Sequence, residues 1–349
     1  MQADSDIESL DEKGNGSGAF PDLLPTTFCR TFNRAARLLF PFAVPRLDAG
    51  RILDSVRDQV GLHDFGSPRA HEAFSVLVGS MEKEGRLSPF GRFAASSILH
   101  EAVSTRLQVV DAFHRDPSLQ DEPLRRPLII VGPTRTGTTM LYQLLATDPQ
   151  FRWFPFWESL FPAPPDGSPD PEGIRRRRVA RRKLRFINQA LPNMEAIHPL
   201  GLDEPEECAG LQRASFGSFY YSLHAHIPSY ERWLEDSNSE GLREAFSFYR
   251  KGLQWIQRER PGGGQHWLLK SPAFTPFVGI LANLFPDAVL VQTHRNPVES
   301  VPSTCSLFAS FLRAFTTNVA PHEIGELILR EARRDMERNL EARDSLPPG

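Results

Sequence analysis

Residues 128–139 read LIIVGPTRTGTT, a short apolar run followed by a loop of glycine, threonine and arginine. The run Leu128–Val131 ends in Gly132, which favours a buried strand of a parallel sheet. After Gly137 the apolar residues have helical spacing, and the helix should end before Pro149. A strand, a glycine-containing loop and a helix in this order predict a P-loop-like turn that binds an anion.

The residue types of this loop suit an anion. Backbone N–H groups at the start of a helix point outward, and the helix dipole favours negative charge there. Gly137 permits close approach of the backbone, and Thr138 and Thr139 add hydroxyl donors. Arg135 adds a guanidinium that can donate two parallel hydrogen bonds to phosphate or sulfate.

Two features argue against a nucleoside triphosphatase. The position of the P-loop lysine, directly after the second glycine, holds Thr138. The later apolar run ending at Thr293 is followed by His294 and Arg295, without the aspartate that would hold magnesium. A P-loop kinase or NTPase therefore stays an alternative to be tested, and no metal site is expected.

Two further strands are predicted downstream. Trp267 to Lys270 is a short apolar run, a helix of about ten residues starts near Phe274, and Ala288 to Thr293 is a second run. Strand, helix and strand over this distance form a βαβ unit. The fold class is therefore α/β, a parallel β-sheet flanked by helices.

The chain divides into three parts by composition. Residues 1–19 are acidic and rich in glycine and serine, which predicts a disordered tail. Residues 20–125 show helical apolar spacing and weak strand signals, so a mainly helical N-terminal region is expected. Residues 126–349 form the predicted α/β core.

Global properties restrict the function and location. The net charge of −3 gives no general reason to expect nucleic-acid binding. The three cysteines are scattered, and the N-terminus has no signal-peptide pattern, which favours the cytoplasm. No apolar stretch approaches the length of a membrane span. The oligomeric state is not readable from the sequence.

Together the motifs resemble those of a known family. GPTRTGTT looks like the 5′-phosphosulfate loop of sulfotransferases that use PAPS (3′-phosphoadenosine 5′-phosphosulfate), although Pro133 stands one place earlier than usual. The segment from His294 to Ser303 resembles the 3′-phosphate site, in which a strand ends in arginine and serine follows eight residues later. Residues 198–208 resemble a bacterial-type branch. The resemblance extends from about Pro127 to Ser310.

The resemblance implies a reaction and a binding site. PAPS would be the co-substrate, no metal would be needed, and the acceptor would be a small alcohol. The 25 phenylalanines favour a lipophilic or aryl alcohol. The implied cofactor-binding residues are Arg135, Thr136, Gly137, Thr138, Thr139, Arg295 and Ser303.

Three residues are candidates for catalysis. Glu158 lies in a region that supplies the base in some branches, and apolar neighbours would raise its pKa. His198 is the other candidate base, since histidine fills this role in the other branches. Each has an ordinary alternative, a helix N-terminal acid for Glu158 and a surface histidine for His198. Lys270, at the end of a predicted strand, would stabilise charge on the transferring group.

Some features leave the activity open. Relatives often have histidine where this chain has Phe274, and they continue with a strand and a loop not found before Gly349. A truncated or non-catalytic nucleotide-binding protein is therefore an alternative. The basic run from Arg175 to Arg185 is interpreted as a solvated helix face or as a rim that attracts anions. His224 and His226 are expected in a pocket lining or in the core.

Overall fold

The structure is a computed structural model that describes residues 25–39, 46–236 and 239–346. The predicted disordered tail, residues 1–19, lies outside the described residues. Within the described ranges, one parallel sheet has the strand order β2-β3-β1-β4. Its strands are β1 (Leu128–Val131), β2 (Phe151–Arg152), β3 (His266–Lys270) and β4 (Val289–Gln292).

The register places the strand ends side by side. Leu128 of β1 lies opposite Leu268 of β3 on one side and Val289 of β4 on the other. Because the strands are parallel, the loops that follow β1, β3 and β4 emerge at one edge of the sheet. Open α/β sheets bind their ligands at this edge.

Helices cover the sheet and form the rest of the molecule. Those before and directly after β1 are α1 (Thr27–Leu39), α2 (Ala49–Val60), α3 (Pro68–Glu84), α4 (Pro89–Arg115) and α5 (Thr138–Leu145). The middle of the chain contains α6 (Phe156–Leu160), α7 (Ile174–Ala190), α8 (Met194–Ile197), α9 (Ala209–Ala214), α10 (Pro228–Asp236) and α11 (Ser239–Glu259). The last helices are α12 (Val278–Leu284), α13 (Pro297–Phe315) and α14 (Pro321–Asp344).

Local sequence explains where the N-terminal helices begin. Ser67 and Ser88 each accept a hydrogen bond from a backbone N–H in the first turn, and each is followed by proline. This combination of capping hydroxyl and pre-set proline φ favours a helix start. The helices share a buried core with residues 216–234, so the N-terminal helical region packs directly on the α/β core.

The predicted βαβ unit is present, with two differences. Its connection begins as a 3-10 helix, Pro272–Phe277, before α12 starts at Val278. β1 lies between β3 and β4 in the sheet, so the crossover spans one strand. Strand β2 was not predicted, because two residues are too short to show alternation.

Phe274 belongs to the core. Its side chain is buried and packs against Phe246 and Tyr249, with ring centroids 5.7 and 5.4 Å away. The position where relatives often have histidine is therefore used here for packing.

Candidate active site

The first loop (residues 132–137) and the second loop (residues 293–296) lie against each other. Gly132 has φ 138°, and a Cβ there would lie 2.5 Å from the Thr293 hydroxyl oxygen and 2.7 Å from its carbonyl oxygen. Only glycine allows this approach without displacing the backbone. A hydrogen bond of 2.6 Å between the Thr136 and Thr293 hydroxyls links the loops further.

The cationic side chains of the two motifs converge. Arg135 Nε donates to Ser303 Oγ at 3.0 Å, and its Nη1 donates to the Ile197 carbonyl at 2.8 Å. Arg295 Nη1 lies 3.4 Å from the Arg135 carbonyl oxygen and its Nη2 lies 2.7 Å from Glu299. The structure thus brings Arg135, Arg295 and Ser303 together from segments about 160 residues apart in the sequence.

Helix α5 starts at this meeting point. Gly137 has φ 91° and no atom within 4 Å of where a Cβ would be, so the space in front of it is open. No side chain of the described residues caps the helix. Its first N–H groups are therefore available to an anion from outside the chain.

The side chain of Lys270, at the end of β3, extends to the start of α5. Its side chain is buried, and Nζ lies 3.2 Å from Thr139 Oγ1 and 2.5 Å from Glu207 Oε1. Glu207 also accepts a hydrogen bond from the Tyr220 hydroxyl, which lies 3.2 Å from Ser271 Oγ. A buried lysine needs such a partner, because an unpaired charge is costly to bury.

His198 forms a second charged pair beside Lys270. Its Nε2 lies 2.9 Å from Glu206 Oε2. Burial alone would lower the pKa of His198, but the Glu206 carboxylate outweighs burial and raises it above its ordinary value. Burial likewise would raise the pKa of Glu206, but His198, Lys270 and the Glu207 N–H together lower it. Glu206 therefore makes His198 more basic and stabilises the imidazolium that forms when His198 takes up a proton.

A cavity of about 730 Å³ adjoins these groups. His198, Glu206, Glu207 and Tyr220 line one part of it. Much of the remaining wall is aromatic and is formed by Phe90, Phe93, Phe186, Phe308, Phe311 and Phe315. The volume and the apolar wall suit a small lipophilic molecule.

Glu158 lies elsewhere. Its carboxylate is fully buried, 2.7 Å from Arg260 Nη2 and 4.0 Å from Arg176 Nη1, and it does not line the cavity. Burial raises its pKa, as the sequence predicts, although both arginines oppose this. The structure therefore places Glu158 in an ion-pair network and not with the other predicted site residues.

The basic run on α7 is divided between two environments. Arg177, Arg178, Arg181 and Arg182 are exposed, as expected for a solvated face. Arg176 is buried and pairs with Asp170, whereas Lys183 lines the cavity and pairs with Glu101.

Histidines 224 and 226 also differ. His224 is buried in the cavity wall, and burial followed by the nearby Arg213 and Lys183 lowers its pKa to about 3. His226 is half-buried and does not line the cavity. His224 is therefore neutral near pH 7 and a weak base.

Sequence reasoning gave no role to Glu206, Glu207 or Tyr220. The two glutamates stand in the stretch that resembles the bacterial-type branch, which was the available signal. Their pairing with His198 and Lys270 depends on tertiary contacts that no spacing reveals.

Membrane-spanning helices and metal-binding clusters were sought in the parts of the chain that the structure describes. There, no helix is long and apolar enough to cross a bilayer. Among the same residues, no group of three or more His, Cys, Asp and Glu side chains is arranged to hold a metal ion.

Comparison with known proteins identifies the family of the chain. A family model described as the sulfotransferase family matches residues 127–349, which is more than half of the chain. The chain belongs to the sulfotransferase family. No curated protein matches it significantly.

Two solved sulfotransferases share the fold. STF1 from Mycobacterium tuberculosis H37Rv is 28% identical with a TM-score of 0.69, and the match covers 86% of this chain and 82% of that one. STF9 from Mycobacterium avium is 26% identical with a TM-score of 0.73, covering 86% and 76%. Both matches extend beyond the family-model region, so the helical N-terminal region is also part of the similarity.

Proposed function

We propose that this sulfotransferase transfers the sulfuryl group of PAPS to the hydroxyl of a small lipophilic or aryl alcohol. The observation that carries the proposal is the convergence of two anion-binding loops at one sheet edge, beside a buried lysine and an apolar cavity. One loop suits a phosphosulfate and the other a second phosphate, and PAPS carries both groups.

The residues present fit PAPS. The open N-terminus of α5 and the hydroxyls of Thr136, Thr138 and Thr139 would hold the 5′-phosphosulfate. Arg295 and Ser303 would hold the 3′-phosphate, and Arg135 lies between the two groups. Glu299, which pairs with Arg295 in the free protein, is exposed and can yield its place to a phosphate.

His198 is the base we favour. With Nε2–H directed at Glu206, the lone pair of Nδ1 remains for the acceptor hydroxyl. As the acceptor oxygen bonds to sulfur, the bond from sulfur to the 5′-phosphate oxygen breaks and PAP leaves. His198 takes the hydroxyl proton, and Glu206 stabilises the imidazolium that forms.

Lys270 would act on the transferring group. Its Nζ lies between Thr139, at the start of α5, and the carboxylate of Glu207. Charge accumulates on the bridging oxygen as the sulfur–oxygen bond breaks, and a fixed ammonium nearby stabilises it. Glu207 and Tyr220 hold the lysine in position.

Glu158 remains a less favoured base. It would have to leave its pair with Arg260 and reach a cavity that it does not line. We also propose the cytoplasm as the location, since the three cysteines are unpaired thiols in the structure.

The test is a transfer assay with PAPS and a panel of aliphatic and aryl alcohols, monitored by PAP release. We expect turnover with lipophilic alcohols and no magnesium requirement. Hydrolysis of ATP that depends on magnesium would contradict the proposal in favour of an NTPase. Tight PAP binding without turnover on any alcohol would instead support a non-catalytic nucleotide-binding protein.

A further inference from the structure

Arg213 in the cavity wall is a buried cation without a counterion. It lies on α9, it is 8% exposed, and it lines the cavity of about 730 Å³. In the described ranges of the chain, its guanidinium makes no ion pair and donates no hydrogen bond. Such a group is costly to bury, because its desolvation is not offset.

Four other buried cations among the described residues each have the kind of partner that Arg213 lacks. Arg106 donates to the Phe65 carbonyl at 2.8 Å, and Arg152 donates to the Ile256 carbonyl at 3.0 Å. Arg176 pairs with Asp170 and Lys270 with Glu207. Arg213 differs from these four in that its surroundings include the cavity, so a ligand can supply the missing partner.

The neighbouring side chains do not neutralise Arg213. Glu101, a carboxylate in the same wall, is engaged by Lys183 and also accepts from Ser97 at 2.8 Å. His224 is neutral near pH 7, because burial, Arg213 and Lys183 lower its pKa to about 3. Neither Glu101 nor His224 therefore supplies a counterion to Arg213.

We propose that Arg213 binds an anionic group of the acceptor, a carboxylate or a sulfate. The acceptor is then an apolar alcohol that carries a negative charge apart from its reacting hydroxyl. The aromatic wall takes its hydrocarbon part, and Arg213 fixes its orientation by a charged hydrogen bond. The statement that the ligand's hydroxyl accepts the sulfuryl group rests on the proposed function. The statement that Arg213 binds an anion does not.

Direct binding measurements without nucleotide test this site. Isothermal titration at pH 7.5 compares 10-hydroxydecanoate with 1,10-decanediol, which has the same chain length and no charge. The variants are Arg213→Met and Arg213→Lys, with Arg182→Met as a control because Arg182 lines the cavity but is exposed. Thermal melts verify that each variant is folded.

We expect wild-type protein to bind the hydroxy acid about 10-fold or more tightly than the diol, as a charged hydrogen bond provides. Arg213→Met should abolish this preference and leave diol binding unchanged. Arg213→Lys should keep part of the preference for the hydroxy acid, and Arg182→Met should keep all of that preference. Equal affinities in wild type, a preference retained by Arg213→Met, or no binding of either probe would overturn the proposal.

The same probes separate this inference from the proposed function. Preference for the hydroxy acid without transfer from PAPS would leave the anion site standing and contradict the transfer reaction. Transfer to both probes at equal efficiency, with no preference in binding, would contradict the anion site alone.

Discussion

At the scale of single residues, the pair of His198 and Glu206 determines how activity should depend on pH. The acidic limb of kcat should lie above the ordinary histidine pKa of 6.5, because Glu206 raises the pKa of His198. Glu206→Gln leaves burial as the main influence, which lowers this pKa. We expect the acidic limb to shift to lower pH and the plateau of kcat to fall.

The control for this prediction is Glu204→Gln, which removes an exposed carboxylate from the same segment. Its pH profile should match that of wild type. An acidic limb that does not move in Glu206→Gln would show that His198 does not supply the titrating base.

Lys270 should affect turnover more than binding. Lys270→Met keeps much of the side-chain volume and removes the ammonium near Thr139. We expect kcat to fall about 100-fold, as for loss of a donor that acts on the transition state, with little change in PAP affinity. Steady-state kinetics and calorimetry measure the two effects, with the exposed Lys251→Met as control. Loss of PAP affinity with unchanged kcat would reverse this assignment.

At the scale of elements, the contact between the two loops depends on Gly132. Gly132→Ala places a Cβ 2.5 Å from the Thr293 hydroxyl, so β1 and β4 must separate locally. We expect unfolding free energy to fall by about 1–3 kcal/mol, the usual cost of overpacking, together with weaker PAP binding.

Gly325→Ala is the matched control. Gly325 lies within α14, and a Cβ there meets no atom within 4 Å. It should gain stability, because alanine favours a helix over glycine. Equal melting temperatures for Gly132→Ala and wild type would show that the loops tolerate separation.

The elements differ in how well the sequence predicts them. Strands β1, β3 and β4 and helix α5 were predicted because each is a local apolar pattern bounded by glycine, proline or a charged residue. The first and second loops were predicted because their residue types and spacing carry the chemistry locally. The start of α12 was placed too early, because a 3-10 helix precedes it.

The remaining site is not readable from spacing. The apolar neighbours of Glu158 indicate that its side chain is buried. They do not indicate the ion pair with Arg260, which lies about 100 residues later in the sequence. His198 approaches Glu206 only because the intervening chain turns back. Whether Arg213 has an ion-pair partner also depends on tertiary packing. The sequence therefore does not show that this arginine is buried in the cavity wall without one.

At the scale of the whole molecule, the buried His224 should make the folded protein less stable as the pH falls. Its pKa is about 3 in the folded protein and 6.5 in the unfolded chain, so the unfolded state binds more protons between these values. Stability from this group is therefore complete above pH 6.5 and declines as the pH falls towards 3.

The variant His224→Asn tests this contribution. The asparagine amide replaces Nδ1, which lies 3.3 Å from the Tyr220 carbonyl, and it does not titrate. Urea unfolding between pH 4 and 6 should show a pH slope smaller by up to about one proton than in wild type. Identical slopes would mean that His224 is charged in the folded protein.

The central claim is that the two loops form one site for the two phosphate-bearing ends of PAPS. Calorimetry with PAP and with AMP, which lacks the 3′-phosphate, tests it in wild type, Arg295→Ala and the control Arg333→Ala. Arg333 forms a similar exposed i,i+4 pair, with Glu337, far from the loops in sequence. We predict that wild type and Arg333→Ala bind PAP about 10-fold or more tightly than AMP, and that Arg295→Ala loses this preference. Equal affinity of wild type for PAP and AMP, or a preference that survives Arg295→Ala, would contradict the account.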